Sequence, residues 1–284
     1  EKNEIRSVFS KLGIERRKKL ENIATGYNTT LKQLCFAAFT MMLSMLSYEN
    51  DIMVGLVTNN RPISEDGNRI IGCFLNTVPV RVKIPASGHA RWSDFIQAVD
   101  KKMLELKRYD RLPFFEIVSY LGEKTGEQNP LIDTAFNFID FYAFRQLQVE
   151  EVVGSRDNES ILRLESFEKT NFPFSLSINA LMGGFLARFD FSPSVLNEAS
   201  VHRLAGYFER ILDEFVDNPE GMLDREALMS TEETQELLYG FNNTEAEYPG
   251  DKTIHWLFAE QVERAPDRIA VFGQGQTRAT QTNM

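Results

Sequence analysis

Histidine and cysteine are scarce in this chain of 284 residues, with three and two copies. His89, His202 and His255 have no other His or Cys at ligand spacing, so no metal site is expected. No G-x-S-x-G elbow and no Walker-type phosphate loop occur, which argues against an α/β-hydrolase nucleophile and a P-loop nucleotide site. No run of about 18 apolar residues is present, so membrane spanning is not expected. The opening residues do not read as a signal peptide, so export is not expected either. Basic residues are outnumbered, 31 against 41 acidic ones, for a net charge of -10. That balance argues against a nucleic-acid groove or an anionic membrane surface as partner. Cys35 and Cys73 both have apolar neighbours and read as buried free thiols, a state suited to a reducing cytoplasm.

Phenylalanine, by contrast, is abundant at 22 copies, and 43% of residues are hydrophobic. That is ample for a packed core. Residues 15–26 read as a helix, and Thr29-Thr30 cap a second over 30–47. The second carries apolar residues on most faces, so it is expected to be buried. The continuous apolar run Ile52 to Val57 reads as an interior strand covered on both faces. Residues 77–84 alternate with period two, a strand with one buried face, and Pro79 marks it as an edge or a bulge. A helix is expected at 92–108. Strands are expected at Ala135–Phe141, Leu162–Phe167, Phe174–Leu181 and Gly184–Phe191, the last two joined through Met182-Gly183-Gly184 as a hairpin. A long amphipathic helix at 197–216 closes the unit. The pattern predicts an α/β fold, one mixed sheet covered by helices.

After Asn218-Pro219 the sequence turns polar, with Asn242-Asn243-Thr244 and Tyr248-Pro249-Gly250. Three segments result: a domain over 1–219, a linker over 220–250 with a short helix near 231–239, and a further start over 251–284. The last carries an amphipathic helix from Thr253 and a strand at Ile269–Phe272. The tail from Gly273 has no hydrophobic pattern and is expected to be disordered or an altered end.

No catalytic constellation emerges from the residues themselves. The basic run Arg16–Lys19 reads as a solvated helix face, and Glu150-Glu151 and Glu232-Glu233 as solvated pairs. Asn59-Asn60-Arg61-Pro62 follows a strand end, a place where functional loops and ordinary turns are both common.

Several segments together resemble the condensation-domain family of nonribosomal peptide synthetases. Ile71-Gly72-Cys73-Phe74-Leu75-Asn76-Thr77, then Val78-Pro79-Val80-Arg81, resembles the family stretch I-G-x-F-x-N-T followed by Arg. Asp51-Ile52-Met53-Val54-Gly55 with Asn60-Arg61-Pro62 resembles D-x-x-x-G…G-R-P, with Asn60 in place of the usual Gly. Leu112-Pro113-Phe114, Asn129-Pro130-Leu131 and Phe136-Asn137-Phe138 resemble later motifs, although Phe115 intervenes before Glu116. Phe241-Asn242-Asn243-Thr244, Tyr248-Pro249, Ile254–Gln261 and Ala265–Val271 resemble the entry into an adenylation domain. The resemblance covers about residues 5–272, and Thr277-Arg278-Ala279-Thr280 departs from it.

The resemblance implies a chloramphenicol-acetyltransferase-like lobe, the C-terminal one of a pair that encloses a tunnel. The implied reaction joins a thioester to an amine, both carried on 4′-phosphopantetheine arms of carrier domains, with no cofactor bound directly. The implied partners are an N-terminal condensation lobe, an adenylation domain and peptidyl carrier domains. The family's H-H-x-x-x-D-G motif is absent, so no catalytic residue is assigned and the chain alone is expected to be inactive. A floor loop over Asn59–Asp66 and a latch over Gly183–Ser194 are expected to reach the other lobe, and the isolated chain to expose apolar surface there and self-associate or rearrange. Asn76, Thr77, Arg81 and Arg61 are the candidate tunnel or phosphopantetheine-arm residues; the alternative is structural, with Asn76 tying a turn and Arg81 pairing with an acidic residue. A heterocyclisation or epimerisation lobe, a non-catalytic platform for adenylation and carrier domains, and a coenzyme A acyltransferase are the other readings.

Overall fold

The computed structural model describes residues 4–62, 64, 66–122, 131–139, 172–179, 185–245, 247, 250–266, 268–273 and 276–279. The chain divides into two compact units, Glu1–Met229 and Ser230–Met284.

In the first unit the elements run β1 (Arg6–Leu12), α1 (Ile14–Gly26), α2 (Leu31–Ser47), β2 (Asp51–Asn59), β3 (Leu75–Lys83), α3 (Trp92–Leu106), α4 (Phe114–Tyr120), β4 (Thr134–Ile139), β5 (Phe174–Asn179), β6 (Phe185–Phe191) and α5 (Glu198–Asp217). Six strands form one mixed sheet in the order β1-β6-β5-β4-β2-β3. β2, β4 and β5 pair in parallel, and the other pairings are antiparallel. β3 lies at the sheet edge, which explains how Pro79 is accommodated without a ladder donor.

Phenylalanine supplies the core. Phe36 and Phe39 of α2 meet Phe136 of β4 at centroid distances of 5.3 and 5.8 Å. Phe39 continues to Phe174, Phe174 to Phe189, and Phe189 to Phe208 of α5. Trp92 packs edge-on against Phe215 at 5.7 Å. These rings are fully buried, and each contributes roughly 1.5–3 kcal/mol through burial alone. α2 begins where Thr30 Oγ1 accepts from Gln33 N, and α5 where Asn197 Oδ1 accepts from Ser200 N.

Two expectations need correction. β2 is interior to the sheet, but only Ile52, Val54, Leu56 and Thr58 face the core, and Met53 on the other face is 41% exposed. Cover on that second face is partial: Gly55 is buried beneath Ile132 and Thr77, Val57 is half-buried and Met53 is open. Cys35 is buried, but Cys73 is exposed, because the turn Gly72–Phe74 carries it to the surface ahead of β3. β1 and α4 were not legible: β1 places Ser10 inward and Phe9 outward, and α4 spans only seven residues behind Pro113. Leu162–Phe167, the Met182–Gly184 turn and Asn129-Pro130 lie outside the described residues.

The compact unit continues ten residues beyond Pro219. Leu223 and Leu228 are buried. Trp92 N and Ser93 N donate to Gly221 O and Pro219 O, and Leu223 N donates to Ala90 O. Arg225 donates to Asn50 Oδ1 and Pro85 O. Glu220 accepts from Tyr27 Oη at 2.6 Å and from Arg91 at 2.9 Å.

The second unit contains α6 (Thr231–Gln235), continued by a widened turn Glu236–Gly240, then α7 (Ile254–Arg264) and the antiparallel pair β7 (Ile269–Gly273) and β8 (Gln276–Ala279). Thr253 caps α7, and Ile254, Trp256 and Phe258 are exposed on it. Among the described residues no single helix is long and apolar enough to cross a membrane.

Candidate functional site

β2 ends and β3 begins side by side, with Asn59 opposite Leu75. The loop between them is closed from inside. Asn60 N donates to Phe74 O at 2.9 Å. Arg61 N donates to Asn59 Oδ1, and its guanidinium donates to Gly67 O and Ile70 O at 3.1 and 2.7 Å while lying 4.5 Å from the Phe74 ring centroid. Gly67 is required by close approach: a Cβ there would sit 2.1 Å from Pro62 O.

Asn76 holds a neighbouring turn. Its Nδ2 donates to Asp110 O at 2.9 Å and to Leu112 O at 2.8 Å. Asn60 Nδ2 donates to the same Asp110 O at 2.8 Å. The Asp110 carboxylate is buried, with Lys107 Nζ at 2.8 Å from Oδ2 but outside hydrogen-bond geometry. Burial lowers the pKa of nearby Lys32, as does the charge of Lys107, while Asp110 opposes both.

The four sequence candidates therefore do not form one cluster. Arg61 and Asn76 both lie at this strand-end junction but hold different groups, Arg61 the loop carbonyls of Gly67 and Ile70, Asn76 those of Asp110 and Leu112. Thr77 is half-buried on the face of the sheet away from the helices, with its methyl near Gly55. Arg81 sits farther along β3, roughly 17 Å from Asn76 at the usual strand rise. There it grips Asp51 in a two-pronged ion pair, Nε to Oδ1 at 2.8 Å and Nη2 to Oδ2 at 2.6 Å.

The sheet face turned away from α2 and α5 carries a polar row that the sequence did not reveal. Asp190 accepts from Ser7 Oγ at 2.5 Å and from Arg188 Nε at 2.9 Å. Ser175 lies opposite Asp190, Ser177 opposite Arg188, and Asn137 opposite Ser177. Ser175, Ser177 and Asp190 are buried. The signal was present as alternation, Phe174-Ser175-Leu176-Ser177-Ile178, which puts both serines on one face.

This arrangement supplies hydrogen-bond donors and acceptors but no acid–base pair. His89, His202 and His255 are all exposed, His202 lying 3.9 Å from Glu198. Among the described residues no group of three His, Cys, Asp or Glu could hold a metal.

The model of the family described as Condensation domain matches residues 5–238. The chain belongs to the condensation-domain family. Its relatives are peptide synthetases. Gramicidin S synthase 2 of Aneurinibacillus migulanus is 29% identical over 259 residues, 91% of this chain and 6% of that protein. Bacitracin synthase 3 of Bacillus licheniformis is 30% identical over 268 residues, 93% of this chain and 4% of that protein. The chain thus spans only a small part of these curated relatives. Among solved structures, the condensation domain from the Monacolin K polyketide synthase MokA is similar at 18% identity and a TM-score of 0.62, covering 78% of this chain and 49% of that one. Holo-AB3403, a four domain nonribosomal peptide synthetase bound to AMP and glycine, is similar at 16% identity and a TM-score of 0.68, over 98% of this chain and 21% of that one. The six-stranded mixed sheet with its helices is the condensation-domain fold, of the chloramphenicol-acetyltransferase type, with the sheet left open.

Proposed function

We propose that the chain is the C-terminal lobe of a condensation domain with its linker and the start of an adenylation domain, and that it forms the acceptor-side wall of an amide-forming tunnel. The coverage carries this reading. About 78–80% of this chain matches solved condensation domains, yet fills only 48–49% of two of them, as one lobe of a pair would. The match over 98% of the chain within a four-domain synthetase supports an adenylation start in the second unit.

In this reading the upstream thioester and the downstream aminoacyl amine arrive on phosphopantetheine arms of carrier domains, in a cytoplasmic synthetase. The missing lobe supplies the histidine that positions or deprotonates the amine. The half-buried Thr77 and Asn137 offer neutral hydrogen-bonding groups, suited to the amides of such an arm. The exposed apolar residues Ile70 and Ile71 of the loop, with Leu75 at the start of β3, form the surface that the second lobe covers in this reading.

The test is reconstitution with carrier-loaded donor and acceptor substrates, read by mass spectrometry of the product. Amide is expected from the complete two-lobe domain and none from this chain alone. Product from this chain alone, or a parent reading frame with no H-H-x-x-x-D-G within about one domain length upstream, would overturn the assignment.

A further inference from the structure

We propose that Asn60 and Asn76 act together as a clamp that positions the Tyr109–Pro113 turn against the strand ends, and so fixes the rim of the proposed tunnel wall. The functional half of this inference rests on the reading above; the clamp itself rests on geometry.

Three hydrogen bonds cross from the β2–β3 end to this turn among the described residues, and all three come from these two side-chain amides. The backbone bonds of the turn run only to itself and to its flanking helices, Tyr109 N to Leu106 O at the end of α3, Leu112 N to Tyr109 O, and Glu116 N and Ile117 N of α4 to Pro113 O, and among the described residues none reaches the strand ends. Asp110 O accepts from both amides, which fills both lone pairs of the carbonyl. The Asn76 amide is thereby oriented without ambiguity. Both of its partners are carbonyls, so nitrogen must face the turn and Oδ1 must face away. Asn60 is in turn fixed by its backbone bond to Phe74 O, so the clamp links the closed loop, β3 and the turn into one body. The buried Asp110 carboxylate beneath it makes a shift of the turn costly, since the charge must stay close to Lys107.

Asn60 and Asn76 are positioning residues here, because they act through the turn. Hydrogen exchange of the 284-residue chain tests the clamp directly, comparing wild type with Asn60→Ala, Asn76→Ala and Asn76→Asp. Each variant is expected to speed exchange of the Tyr109 and Leu112 amides and of Asn60 or its surroundings about five- to tenfold, the loss of one or two hydrogen bonds. Exchange in β4, β5 and β6 is expected to stay unchanged. Asn76→Asp is expected to exceed Asn76→Ala, because it sets a carboxylate oxygen against two carbonyls. Unchanged exchange at the turn in Asn60→Ala and Asn76→Ala, or equal acceleration throughout the sheet, would refute the clamp. In the intact synthetase, Asn60→Ala is expected to raise KM for the acceptor carrier several-fold, with donor KM and kcat unchanged. An unchanged acceptor KM beside altered exchange would sink the link to the acceptor side and leave the clamp. Absence of amide product from the wild-type synthetase would instead refute the proposed function and leave the clamp standing.

Discussion

Arg81 and Asp51 face each other across the β2–β3 ladder diagonal, joined by two parallel N–H···O contacts of 2.8 and 2.6 Å. The pair ties the edge strand β3 to β2 at the far end of the Ile71–Arg81 segment. Asp51 is held below the usual carboxylate range by the Arg81 hydrogen bond first, then by the charges of Arg81 and Lys83. Both side chains are solvent-facing, so the stabilisation is small. Arg81→Gln and Asp51→Asn are expected to shift Tm by no more than a few degrees. The double variant is expected to be no worse than either single one. A loss of Tm in the double variant equal to the sum of two large single losses would contradict this pairing.

The two thiols are expected to differ sharply. Cys35 is fully buried, and burial alone pushes its thiol far above the ordinary range. Cys73 is exposed. Native-state alkylation followed by peptide mass spectrometry is expected to modify Cys73 promptly and leave Cys35 untouched until denaturant is added. Rapid modification of Cys35 in the native chain would mean that α2 is not packed as described.

Gly55 marks a close approach within the sheet. A Cβ there would lie 2.6 Å from Ile132 Cδ1, 2.9 Å from Thr77 Cγ2 and 3.3 Å from Thr134 O. Gly55→Ala is therefore expected to cost about 1–3 kcal/mol by overpacking. Phe208→Ala, which empties the end of the aromatic chain on α5, is expected to cost about 3–5 kcal/mol. Denaturant unfolding of both variants supplies the measurement, and a neutral Gly55→Ala would show that Ile132 can move aside.

The Glu220 cluster gives a pH signature. The Tyr27 hydrogen bond, then that of Arg91, holds the Glu220 carboxyl below its usual 4.5, and the same contact raises Tyr27 above its usual 10.0. A depressed carboxyl stabilises fully above the unfolded value and loses that contribution as pH falls through the folded one. A raised phenol stabilises below its unfolded value and loses the contribution as pH climbs through the folded one. The contact is thus complete between about pH 5 and 9. Tyr27→Phe is expected to move the Glu220 titration, followed by NMR, back toward 4.5. No movement would remove Tyr27 as the cause.

The same cluster predicts the proteolytic pattern of the linker. Glu220 and Glu226 belong to the segment laced to α3 and the β3–α3 turn, whereas Glu232 and Glu236 follow in the second unit. A glutamate-specific protease under native conditions is expected to cut after Glu232 or Glu236 well before Glu220. Early cleavage at Glu220 would show that residues 220–229 are not part of the first unit.

Much of the fold was legible because it is written in periodicity. α2, α3 and α5 announce themselves by apolar stripes, and β3 by alternation with Pro79 at an edge. Such patterns depend only on which face of an element meets the core. β1 escaped because Phe9 points outward and Ser10 inward, the latter satisfied by Glu209 from α5, 199 residues away. The candidate site was legible only as a motif. Asn76, Thr77, Arg61 and Arg81 stand close in sequence, but side-chain direction and strand rise send Arg81 to Asp51 and leave Arg61 and Asn76 at the loop.

The sequence by itself determined α1, α2, α3 and α5, most of the described strands and the resemblance to condensation domains, because hydrophobic spacing and short motifs are local properties. Only the tertiary structure decided that Asn60 and Asn76 share one carbonyl of Asp110, that Cys73 is exposed, and that residues 220–229 are laced into the first unit. Those outcomes depend on which distant backbone groups come within 3 Å of a side chain, and no spacing along the chain encodes that.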